Sequence, residues 1–158
     1  MSGQRRGKET EKADQRCGEK KGGGMNKTAV SVGLLSIRIG LGVIFLAHGL
    51  QKLGLFDGAG VDGVARMLSN WGLTPAGILA WVLIVIEIVC GLGILLGVFP
   101  RLNAVLIVLT MIVAIAKVHG PKGFFMMQGG FEYQFFIVMV SIAVIATGAG
   151  KFALWNKY

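Results

Sequence analysis

The sequence predicts an all-α integral membrane protein, a four-helix transmembrane bundle with a short interfacial helix between spans 1 and 2. Three observations predict it. Four apolar runs, residues 29–50, 75–96, 102–118 and 134–149, hold most of the hydrophobic side chains. Runs of about 17–25 residues at 1.5 Å rise match a hydrocarbon core about 30 Å thick. Second, 54% of residues are hydrophobic and 15% charged, with mean hydropathy +0.68. A soluble fold of this size would lack the polar surface to cover four such segments. Third, Arg38 lies inside the first run and Glu87 inside the second. A charge facing lipid costs about 2.5–3.5 kcal/mol by insertion scales, so both side chains should turn inward.

Residues 1–28 read as a disordered basic cytoplasmic tail and 29–155 as the membrane domain. The net charge of +8 owes much to the tail, which holds eight of the sixteen basic residues between Arg5 and Lys27. It also contains Glu9, Glu11, Asp14 and Glu19 and almost no large apolar residues, a composition that cannot bury a core. An anionic membrane surface is a sufficient partner for it, and no nucleic acid is implied. Met25 follows three glycines, and a chain starting there keeps every helix. Residues 1–24 therefore read as a misassigned start or a dispensable extension.

After span 1, Asp62 is placed to cap a short amphipathic helix with Val64, Ala65, Leu68 and Trp71 on one side. That helix should lie in the interface with Trp71 at headgroup level. Thr74-Pro75 reads as N-cap and first turn of span 2. Gly97-Val98-Phe99-Pro100-Arg101 reads as a tight hairpin, since glycine ends one helix and proline begins the next. The stretch 120–131 is glycine-rich and carries Phe124, Phe125, Met126 and Met127, as expected of a loop folded over the bundle mouth. Eleven basic residues flank the side shared by the tail, hairpin and C-terminus, against Lys52, Arg66, Lys117 and Lys122 on the other. That bias places both termini in the cytoplasm. For a chain starting at Met25 the count is four against four.

On span 1, Arg38, Phe45 and Lys52 are seven apart, with His48, Gly42 and Gly49 on the same stripe. Glycines allow close helix approach and polar groups turn inward, which marks the buried face. Span 2 offers Glu87 with Gly91 and Ala80. Span 3 repeats the pattern as Asn103, Thr110 and Lys117, with His119 beyond. Span 4 opens with Glu132, and Phe136, Met139, Ala143 and Ala146 follow on that face. Arg38 and Glu87 fall at comparable depth and are expected to form a buried ion pair, either fixing helix register or handling protons. His48, Lys52, Lys117, His119 and Glu132 gather at the outer end. They are either snorkelling anchors or a binding cluster for a polar head group with an apolar body, such as a quinone. Histidine can donate to a quinone carbonyl or shuttle its proton. His48 and His119 as paired haem ligands are a further reading.

Cys17 lies in the tail and Cys90 in span 2, with neither metal-ligand spacing nor a plausible disulfide. Direct dithiol chemistry is not expected, and no metal site is predicted. The first run is too long for a cleavable signal peptide, carries Arg38 and lacks a small-x-small site.

The chain resembles the DoxX family of small four-helix membrane proteins over residues 36–155. The match runs from Arg38-Ile39-Gly40 through His48-Gly49-Leu50-Gln51-Lys52-Leu53. It continues with Glu87, Gly91, Leu95-Leu96-Gly97, Arg101, Gly123-Phe124-Phe125, Gly129-Gly130-Phe131-Glu132 and Gly148-Ala149-Gly150. The resemblance implies a four-span protein of the bacterial cytoplasmic membrane. It associates the chain with quinone-linked oxidation of sulfur compounds, with oxidoreductase complexes of thiol stress, and with quinone or catechol tolerance. The lone Cys90 departs from thiol exchange. A membrane subunit binding quinone beside a soluble oxidoreductase partner is the leading expectation. A homo-oligomeric small-solute or proton-coupled transporter, or a non-catalytic scaffold for soluble oxidoreductases, are the alternatives.

Overall fold

A computed structural model describes residues 26–154. Most of the predicted tail, residues 1–25, and Trp155 lie outside the described residues. Helix α1 (Lys27–Lys52) starts two residues before the predicted run. The Asn26 side chain accepts the Thr28 N–H at 3.1 Å and satisfies a helix-start donor. The bundle lies within the compact unit 31–158, while the first turn of α1 belongs to the N-terminal unit.

Helix α2 (Gly60–Asn70) buries Val64 and Leu68, which pack with Ala80. Its hydrophobic side is thus the predicted one, but Asp62 does not cap it. The helix starts two residues earlier, so Asp62 sits in the first turn, where its charge opposes the positive end of the helix dipole. Helix α3 (Ala76–Leu96) starts one residue after the predicted proline, with Pro75 and not Thr74 at the N-cap.

The hairpin after α3 forms as expected. Gly97 takes φ +74°, its N–H bonds Ile94 O at 3.2 Å, and the Val98 N–H bonds Gly93 O at 2.8 Å. That double closure consumes carbonyls left open at the helix end, and Pro100 begins the next helix without needing a donor. Helix α4 (Pro100–Ala114) runs on through a π-turn (Ile115–His119) and a short 3₁₀ turn (Gly120–Lys122). Helix α5 (Glu132–Thr147) closes the bundle.

Each long helix gives two residues to one core: Leu41 and Phe45, Cys90 and Ile94, Ala104 and Ile107, Ile137 and Val144. Helices α1 and α3 run antiparallel in close contact at Gly42 and Gly91. A β-carbon on Gly42 would lie 2.9 Å from Gly91 O, and one on Gly91 would lie 2.7 Å from Leu46 N. α1, α3 and α4 with its extension are long and apolar enough to cross a bilayer. α5 is apolar but has 16 residues, about 24 Å of helix.

The expected Arg38–Glu87 pair does not form. Gly42 and Gly91 set a register in which Arg38 reaches Ile94 and Leu95, seven and eight residues beyond Glu87, about two turns away. Arg38 is 1% exposed. Its guanidinium donates to Ile94 O at 2.9 Å, Leu95 O at 2.9 Å, Ala149 O at 3.0 Å and Phe152 O at 2.9 Å. It therefore serves carbonyls at the end of α3 and in the chain beyond α5, where helix dipoles favour a cation. Gly97 makes room, because a β-carbon there would collide with Arg38 and lie 2.7 Å from Ala153 Cβ.

The fourth helix also turns differently from expectation. Ile137, Ser141 and Val144 are its buried residues, while Phe136 is 65% and Met139 50% exposed. The face that follows Glu132 points outward, and the inward face starts at Tyr133 and Gln134.

Candidate functional site

The four long helices and α2 line a largely apolar cavity of about 620 Å³ in the half of the bundle at the C-terminal end of α1. α1 contributes Ile44, Phe45, His48 and Lys52, one stripe at the predicted spacing. α3 contributes Glu87, α4 Thr110, the π-turn His119, and α5 Tyr133, Gln134 and Ile137. Met67 and Leu68 of α2 and its C-cap residue Trp71 also line it.

The charges form one pair. Lys52 Nζ donates to Glu87 Oε1 at 2.7 Å and Oε2 at 2.6 Å. Glu87 is 4% exposed, and the Lys52 side chain keeps 20% of its surface. Helical side chains lean toward the helix N-terminus, so Lys52 reaches back along α1 to a carboxylate level with Gly49. Glu87, assigned from sequence to the inner pair, thus belongs to the outer site and neutralises a member of the predicted cluster. Such a pair compensates two charges in a low-dielectric setting while leaving both in place to meet a polar ligand.

His119 Nδ1 lies 2.6 Å from Gly129 O. A carbonyl only accepts, so Nδ1 carries the proton in this contact, and in the neutral ring Nε2 is left as the acceptor. The same bond straps loop 120–131 across the end of α4. His48 makes no hydrogen bond among the described residues and lines the cavity between Phe45 and Lys52. Thr110 Oγ1 is spent on Leu106 O at 2.9 Å. Gln134 also lines the cavity, and its Oε1 is buried without a partner.

Two members of the predicted outer cluster stand apart. Lys117 is exposed and does not line the cavity. The π-turn adds a residue to the helical repeat, so Val118 takes the position on the stripe that a regular helix would give Lys117. Glu132 also stays outside. Its Oε2 accepts the Met126 N–H at 3.1 Å, and its own N–H bonds Phe124 O at 2.9 Å. It holds the aromatic loop, in which Phe124 packs edge-on against Phe125, Phe131 and Phe135.

Tyr133, Gln134 and Trp71 were missed as site residues. Ser141 was the available signal: a hydroxyl in the middle of an apolar helix turns inward, and stepping back by four and seven residues reaches Ile137 and Gln134. Among the described residues no group of three or more His, Cys, Asp or Glu could hold a metal ion.

The DoxX family profile matches residues 33–120, which contain Arg38, His48, Lys52, Glu87 and His119. The chain is 33% identical over 130 residues to a Bacillus subtilis (strain 168) protein named "Putative oxidoreductase CatD", covering 82% of this chain and 89% of that one. It is 28% identical over 131 residues to "Uncharacterized membrane protein Rv3486" of Mycobacterium tuberculosis (strain ATCC 25618 / H37Rv), covering 77% and 78%. No solved structure matches it. The profile covers more than half of the chain, across α1, α2, α3 and α4, and the chain belongs to the DoxX family of membrane proteins.

Proposed function

We propose that this protein is the quinone-binding membrane subunit of a redox system in the bacterial cytoplasmic membrane, served by a soluble oxidoreductase partner. The observation that carries the reading is the cavity: apolar walls with His48, Lys52, Glu87, His119 and Gln134 among its lining residues. Its volume falls in the range of about 300–1,000 Å³ typical of small-ligand sites. Quinone carbonyls are acceptors suited to Lys52 and to a histidine N–H. Reduction of a quinone takes two electrons and two protons. The partner's redox centre supplies the electrons, and His48 and His119 pass protons. The relative named as an oxidoreductase supports the same class.

Titration of the protein in nanodiscs with ubiquinone and menaquinone analogues tests this, with quenching of Trp71 emission as the readout and Trp71→Phe as control. Binding is expected to weaken about tenfold in His48→Leu, the equivalent of about 1.4 kcal/mol, while the ion pair stays intact. Absence of binding to the wild type, with and without co-purified partners, rejects the proposal. A haem absorption band in the purified protein would favour ligation by His48 and His119 instead.

A further inference from the structure

Four cavity-lining residues are exposed: His48 on α1, and the apolar Val82 at 46%, Leu109 at 54% and Val113 at 49% on α3 and α4. Exposed side chains that line a cavity stand at a mouth, where protein does not cover it. Val82 with Ile86 on α3, and Leu109 with Val113 on α4, are each four apart and form two stripes flanking that mouth. Val82 is six residues inside the start of α3, about 9 Å, and Val113 is thirteen residues from Pro100, about 20 Å. Both helices are long and apolar enough to cross a bilayer, so these depths fall within hydrocarbon.

The outer end, in contrast, carries covers. α2 buries Val64 and Leu68 while Met67 and Trp71 line the cavity, and the His119–Gly129 bond holds loop 120–131 in place. A cavity of 620 Å³ holds a ring and a short stretch of chain, and a long apolar tail must leave it. The stripes on α3 and α4 offer an apolar way out.

We infer that the cavity opens sideways into the membrane between α3 and α4, and that its ligand is an amphiphile dissolved in the bilayer, with its polar head near Lys52 and Glu87 and its apolar tail passing between Val82 and Leu109. The head-group identity rests on the quinone reading, but the route rests on the two stripes. Lipid is then the compartment from which the site fills, and tail length becomes a determinant of affinity.

The test uses the full chain in nanodiscs and two analogues with the same quinone ring, one without a tail and one with an isoprenoid tail ending in a diazirine. Photolysis is expected to place adducts on residues 82–86 and 109–113. Leu109→Trp and Val113→Trp are expected to weaken the tailed analogue at least tenfold more than the tail-less one. Adducts on α2 or on loop 120–131 with binding intact overturn the lateral route alone, as do equal effects of the tryptophans on both analogues. Failure of the wild type to bind either analogue overturns the quinone reading and this route together.

Discussion

Lys52 and Glu87 hold each other with both carboxylate oxygens engaged, and this pair decides how substitutions at the site behave. Removing one partner leaves a charge of low exposure uncompensated, a loss on the order of 3–5 kcal/mol for a buried pair, whereas replacing both leaves none. Lys52→Met and Glu87→Gln are each expected to lower the amount of folded protein more than the double variant does, as measured by size-exclusion recovery from membranes. Equal recovery of all four proteins would mean that the pair carries no folding energy. That the two spans each turn a charge inward was legible from sequence, because lipid penalises any other choice. Which charges meet was not legible. Pairing depends on axial register, and the register comes from the contact of Gly42 with Gly91 and from the end of α3, where carbonyls claim Arg38.

At the level of elements, helix positions and the hairpin were readable because periodicity, glycine and proline encode them locally. The inward face of α5 was marked only by Ser141, since an almost uniformly apolar helix has little amphipathic signal, and Glu132 suggested the wrong side. The π-turn in the fourth segment was invisible for a related reason: nothing in Ile115–His119 as a string marks an extra residue in the repeat. Its effect is to carry Lys117 off the cavity stripe while His119 lines the wall and bonds Gly129. Deleting Ala116 should remove the extra residue and let a regular helix form through this stretch with Val118 and His119 kept in place. Analogue binding and the helical circular dichroism are both expected to persist. Loss of binding with the helix intact would show that the π-turn itself shapes the site.

For the whole molecule, the question is the number of crossings. α1, α3 and the fourth segment meet the length requirement, and α5 is shorter, though its apolar faces and its partners in the core place it in the same bundle. A short span is accommodated by local thinning or snorkelling at modest cost. Four crossings put Lys151 on the side of the Val98–Pro100 hairpin and Met127 on the other. Single cysteines at 127 and 151, in a Cys17→Ser/Cys90→Ala background, are expected to react with an impermeant maleimide from opposite sides of inverted and right-side-out vesicles. Labelling from the same side would require an odd number of crossings. Met127 suits this assay because its side chain is fully exposed.

The four carbonyls around Arg38 have a consequence for biogenesis. Two belong to the end of α3, and two belong to Ala149 and Phe152, which follow α5 in the chain. The cation enters the bilayer with α1 yet has its full set of acceptors only after α5 and the turn that follows it have been made. Until then the nascent chain holds a guanidinium short of ligands in an apolar medium, at a cost of several kcal/mol. A chain truncated before Ala149 keeps that unmet charge.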